Sequence, residues 1–225
     1  MNGGVVAVVP IRSLNGGKTR LAGVLSPEAR AALTRRMLRG VVAAALASGS
    51  VTTVAVVSPD PAALELATSL DPAVVPLRQS QEAPGLNPAI AEGVGFAAGQ
   101  GALAVLILFG DLPLLNGDDV RHLLRRDAPV VLAPDRHGTG TNALMLRLGT
   151  GPDDGREFVF HFGPGSYAKH VDEAHRLGLD VATSLSTGTA LDLDTPDDLL
   201  RVLMADGTER DDELASIEPA LRDIA

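Results

Sequence analysis

The sequence predicts a single-domain α/β fold, a mostly parallel β-sheet flanked by helices. Three observations carry this expectation. Short runs such as ALAVLILF are apolar on both faces, as strands buried inside a parallel sheet are. Between these runs lie segments with helical spacing and recognisable helix starts, and regular alternation of the two implies a layered α/β sandwich. The chain has 225 residues, 45% of them hydrophobic, enough for one sizeable core.

The strands are expected in order at Val5–Ile11, Val51–Val57, Leu103–Phe109 and Val130–Ala133, with weaker patterns at Asn142–Leu148 and Ala190–Leu193. The helices are expected at Glu28–Ala47, Pro61–Leu70, Pro88–Ala98, Asp118–Arg126, Tyr167–Leu177 and Pro196–Met204. Ser26-Pro27 and Thr195-Pro196 have the cap-then-proline form of a helix start. Residues 1–205 form the expected domain, and 206–225 a charged C-terminal tail.

Composition narrows the function. The absence of cysteine excludes disulfides, thiolate metal sites and a cysteine nucleophile. A net charge of −9 makes the chain a poor partner for a nucleic-acid backbone. The apolar runs are too short to span a membrane, and MNGGVV lacks the basic start of a signal peptide, so a cytoplasmic protein is expected. Lys18 and Lys169 are the only two lysines, and both fall within motifs.

Ligands of open α/β sheets sit beyond the carboxyl ends of the strands, so the residues there matter most. RSLNGGKTRL follows the first strand and gathers Arg12, Lys18 and Arg20 around two glycines, a combination suited to phosphate. It is not a P-loop, because Arg12 stands where that motif needs its first glycine. GDLP places Asp111 after a buried strand, either as a turn residue or as a ligand for a divalent ion.

In ALDLDTP, Asp192 and Asp194 would share one face of a strand, while Thr195, Pro196 and Asp198 read as a helix cap. GTGTN offers Thr141, and FGPGS offers Ser166 as the cap of a helix starting at Tyr167, with free amides at its start; both suit an anion, and both also suit ordinary turns. Asn87 in GLNPAI either contacts a base or caps the following helix.

Taken together and in this order, KTRL, LN-x-AI, GDLP, DR-x-GTGTN, FGP-x-S with a downstream histidine, and D-x-DTP-x-DL resemble the CofC/FbiD guanylyltransferases of deazaflavin coenzyme F-420 biosynthesis. The resemblance runs from Val5 to about Leu203. It implies a compact, Rossmann-type nucleotidyltransferase fold of the GT-A kind. Sugar-phosphate and molybdenum-cofactor nucleotidyltransferases begin LAGG-x-S-x-RMG instead.

By that resemblance Asp111, Asp192 and Asp194 hold Mg²⁺, and Arg12, Lys18, Arg20 and Asn87 bind the nucleotide. Thr141, Gly163 and Ser166 bind a phosphorylated three-carbon acid. The implied reaction joins GTP to phosphoenolpyruvate, giving enolpyruvoyl-2-diphospho-5'-guanosine and pyrophosphate. A downstream transferase of the same pathway is an implied partner, and a homodimer is left open. The alternatives are 2-phospho-L-lactate or 3-phosphoglycerate as acceptor, a nucleotidyltransferase for a sugar phosphate or molybdopterin, and a non-catalytic nucleotide-binding module.

Overall fold

The computed structural model describes residues 4–149 and 157–205. Seven strands form one sheet in the order β3-β2-β1-β4-β6-β5-β7. They are β1 (Val5–Pro10), β2 (Val51–Ser58), β3 (Val74–Arg78), β4 (Ala104–Leu108), β5 (Val130–Pro134), β6 (Thr141–Arg147) and β7 (Val181–Thr183). Only β6 is antiparallel, and it lies between β4 and β5. The sheet is therefore mostly parallel, as the doubly apolar runs require.

The helices are α1 (Pro27–Ala47), α2 (Pro61–Thr68), α3 (Leu86–Gly99), α4 (Gly117–Leu124), α5 (Ser166–Arg176), α6 (Thr187–Ala190) and α7 (Pro196–Ala205). Alternation along β4 divides the interior. Ala104, Leu106 and Leu108 face one core with residues of α1, α2 and α4. Val105 and Ile107 face the other, with residues of α3 and Phe158, Phe160 and Phe162. Each fully buried Val or Leu contributes roughly 1.5–3 kcal/mol, so both layers hold the central strands in place. A third, smaller cluster joins α1 to α7 through Leu21, Leu191 and Leu193. Among the described residues no helix is long and apolar enough to cross a membrane.

Three local readings change. Ala190–Leu193 is not a strand: α6 ends at Ala190, capped at its start by Ser186, and the Asn142 amide takes the carbonyls of Thr189 and Ala190. Leu191 and Leu193 nevertheless point into the small core while Asp192 and Asp194 stay half-exposed, so the alternation survives without a ladder. The residue capping α5 is Gly165 in a left-handed conformation (φ 69°), and Ser166 is already helical. β3 and β7 are strands that periodicity missed. The first carries Pro76 at the sheet edge, where a missing donor is tolerated, and the second has only three residues. The charged tail 206–225 lies outside the described residues.

Candidate active site

The loop after β1 is built by its neighbour. Asp60 caps α2 through the Ala62 amide (3.0 Å), and its other oxygen accepts from the Leu14 amide (2.9 Å) and the Ser13 hydroxyl (3.0 Å). Burial alone would raise the Asp60 carboxyl; these donors outweigh it and hold it below its ordinary range. Sequence reading missed this residue as part of the site, although Asp60-Pro61 is a clear helix start.

Beyond the loop, Lys18 is the only non-glycine described residue with positive φ (56°). A side chain in that region costs on the order of 1–2 kcal/mol. The turn sends Lys18 inward, where its side chain is 8% exposed, whereas Arg20 stays 73% exposed.

The Lys18 ammonium donates to Asp111 Oδ2 at 2.7 Å and to Asp194 Oδ1 at 2.8 Å. Arg20 stands 3.6 Å from Asp194 Oδ2. Burial would lower the Lys18 pKa, but the two carboxylates outweigh it and hold the ammonium above its ordinary range. Arg12, Lys18, Asp111 and Asp194 line one cavity of about 280 Å³ beyond the carboxyl ends of β1 and β4. This is where the topology of such sheets places ligands.

Asp192 sits beside this group, held by Asn142 Nδ2 at 3.4 Å. Burial raises its carboxyl above the ordinary range, against its own amide and Asn142, and the charges of Asp111 and Asp194 add to the rise. Asn142 closes the GTGTN motif, but nothing in the sequence signals that its amide would reach Asp192.

Among the described residues no three acidic or imidazole groups stand close enough to form a ready-made ion cage. The donor set nonetheless fits a hard divalent ion. The oxygens are carboxylates that repel one another, and buried Asp111 Oδ1 has no hydrogen-bond partner. Such ions are commonly held by one or two carboxylates, the rest of the shell coming from water and substrate phosphate.

A second cluster lies beside β4. Phe109, on the cavity wall, meets the Phe162 ring at 5.1 Å, one residue before Gly163. Gly163 (φ 131°) and Gly165 make an exposed turn that side chains would strain. Beneath it, Ser166 Oγ and Thr141 Oγ1 are 3.2 Å apart and both residues are buried. Thr141 is also 3.1 Å from His170 Nδ1, while His170 Nε2 accepts from the His161 amide (3.0 Å). Burial, with help from His161 and against Glu173, pushes His170 down to about 4.

Asn87 does not cap α3, whose cap is Gly85. Its carboxamide pairs with the Phe162 backbone in both directions, Nδ2 to the carbonyl at 3.1 Å and Oδ1 from the amide at 2.8 Å. Thr141, Gly163 and Ser166 thus stand together, apart from the lining of the Lys18 cavity but joined to it through Phe109.

Comparisons with known proteins identify the family and the fold. Residues 5–218 match the family model described as guanylyl transferase CofC like. The chain is 44% identical over 209 residues to the phosphoenolpyruvate guanylyltransferase of Rubrobacter xylanophilus, covering 91% of this chain and 96% of the relative. It is 37% identical to the 2-phospho-L-lactate guanylyltransferase of Methanothrix thermoacetophila, covering 89% and 83%. Among solved structures, one from Desulfovibrio desulfuricans, described as a nucleotide-diphospho-sugar transferase, superposes with a TM-score of 0.79 at 17% identity over 98% of both chains. That likeness concerns the fold alone.

Proposed function

The chain belongs to the CofC-like guanylyl transferase family and is a nucleotidyltransferase, and on that premise we propose that it joins GTP to phosphoenolpyruvate, releasing pyrophosphate. The observation that carries the nucleotide side is Lys18, turned inward against Asp111 and Asp194 at the carboxyl edge of the sheet. Lys18, with Arg12 and Arg20, neutralises the triphosphate. The acceptor's anionic ends rest on Thr141 and the Gly163–Ser166 turn.

The acceptor phosphate is already an anion and attacks the α-phosphorus directly. The bond from that phosphorus to the bridging oxygen breaks, and pyrophosphate departs. No general base is needed, so positioning and charge neutralisation are the protein's main work. Asp111, Asp192 and Asp194 would hold Mg²⁺, which when bound supplies the positive charge that lets phosphates and carboxylates share one site.

Phosphoenolpyruvate is favoured as acceptor by the 44% identity to an enzyme of that name, against 37% to the phospholactate enzyme. The product carries a diphosphate link, the activated form that a downstream transferase in coenzyme F-420 biosynthesis would consume. The test is a matrix of GTP, ATP and CTP against phosphoenolpyruvate, 2-phospho-L-lactate and 3-phosphoglycerate, with Mg²⁺ and a pyrophosphate readout. Release greatest with GTP and phosphoenolpyruvate supports the reading. Preference for another acid overturns the acceptor assignment. GTP binding with no release from any pair supports a binding module instead.

A further inference from the structure

We propose that His170 is a positioning residue of the acceptor site: by donating from Nδ1 to Thr141, it leaves the Thr141–Ser166 hydroxyl pair one proton to offer the acceptor's anionic end. The proposal rests on the acceptor reading above and extends it to a residue that touches no substrate.

The tautomer of His170 follows from the protons its neighbours hold. The His161 amide points at His170 Nε2 from 3.0 Å, and an amide can only donate. Nε2 must therefore be bare. Imidazolium and the Nε2–H tautomer would both set donor against donor. The proton of the neutral ring lies on Nδ1, 3.1 Å from Thr141 Oγ1.

Two hydroxyl protons remain, on Thr141 and Ser166, whose oxygens are 3.2 Å apart. Their mutual bond uses one. The other has no place in the triad and is free for an anion. Were Nδ1 an acceptor instead, Thr141 would donate to it, Ser166 would donate to Thr141, and no hydroxyl proton would be left.

The surroundings hold this arrangement. His170 is fully buried, with the Phe162 ring edge-on at 4.6 Å and Phe158 at 6.0 Å. The nearby Glu173 carboxylate is occupied by Arg176 (2.7 and 2.8 Å) and the Val159 amide (2.9 Å). His170 is thus not set up as an acid or base; it fixes the polarity of two hydroxyls.

The experiment compares His170→Asn with His170→Gln in the full chain. Asn sets an amide donor near the Nδ1 position; Gln sets its carboxamide near Nε2 and leaves Thr141 without a donor. Loss of one hydrogen bond corresponds to about tenfold in affinity. His170→Gln is expected to raise KM for phosphoenolpyruvate about tenfold with KM for GTP within about twofold of wild type. His170→Asn should recover most of that loss.

Equal impairment in both variants, parallel loss of GTP affinity, or a fall confined to kcat overturns the proposal. ¹⁵N NMR of the wild-type histidines adds a readout independent of folding of the variants: Nδ1–H at His170 supports it, and Nε2–H overturns it. Absence of wild-type turnover with either phosphoenolpyruvate or 2-phospho-L-lactate removes the acceptor reading, and the proposal with it. Normal turnover without the KM split removes the proposal alone.

Discussion

Lys18 and Asp111 are 93 positions apart in the chain, and their charged atoms meet at 2.7 Å. The contact ties the loop after β1 to the turn after β4, and Asp194 joins it from the segment before α7. Lys18→Ala removes the charge proposed to meet the triphosphate and leaves two carboxylates facing each other. It should raise KM for GTP more than tenfold, at a rough value of 1.4 kcal/mol per decade, and change KM for the acid far less. A titration with unchanged GTP affinity and lost acid affinity would reverse the assignment. Lys18→Arg should not restore it, since the larger planar guanidinium aims its donors in fixed directions and cannot take the place of the compact ammonium held at 2.7 and 2.8 Å by the two carboxylates.

Asp111→Ala removes an oxygen on Lys18 and a buried oxygen with no other partner. The expected result is near-complete loss of Mg²⁺-dependent turnover, on the order of several kcal/mol in the transition state. The fold should remain, because the cores on both faces of β4 are untouched. Turnover within a few-fold of wild type would refute a role for Asp111 with the ion.

Asn87 pairs with Phe162, so its carboxamide holds the Gly163–Ser166 turn proposed for the acceptor, while its neighbour Leu86 lines the Lys18 cavity. Asn87→Asp keeps the shape and sets a carboxylate against the Phe162 carbonyl. The acid's KM should rise about tenfold, at one half-buried hydrogen bond lost plus a repulsion. A change in guanine-over-adenine preference with an unaltered acid KM would favour a direct base contact.

His170 gives a pH test of the fold. Its pKa is pushed down to about 4 from 6.5, so between those values the unfolded chain binds more protons than the folded one. The stability it contributes is therefore present above pH 6.5 and lost as pH falls toward 4. The full span is on the order of 3 kcal/mol. Chemical denaturation from pH 7.5 to 5 should show a steeper loss for wild type than for His170→Gln, which has no ionisation there. Parallel curves would refute the buried neutral ring.

What the sequence disclosed, and what it did not, divides by range. Thr195 and Asp198 are three residues apart, and their cap is present, with Asp198 Oδ2 accepting from the Thr195 amide and hydroxyl at 2.8 Å each. Asp111 was legible because a run apolar on both faces must be central, and its end must face the ligand edge. The partners of Lys18, Asn87 and His170 were not legible. Each is chosen by packing between distant segments, which no local spacing encodes. Ser166 looked like a cap because serine usually is one; the left-handed Gly165 takes that position and frees the hydroxyl for Thr141. The Asp192–Asp194 alternation was visible, but the strand expected to carry it was not formed, since α6 and the Asn142 amide hold the residues before it.

In the proposed reaction the guanylyl group, carrying the α-phosphate of GTP, passes to the phosphate of a small acid. The most direct measurement uses GTP labelled at the α-phosphate, with phosphoenolpyruvate and Mg²⁺, and follows the label by chromatography and mass. The expected result is label in a new diphosphate-linked compound of acid and guanosine, with unlabelled pyrophosphate formed in equal amount. Label remaining in GTP or appearing only in GMP, or transfer of the γ-phosphate to the acid, would contradict it.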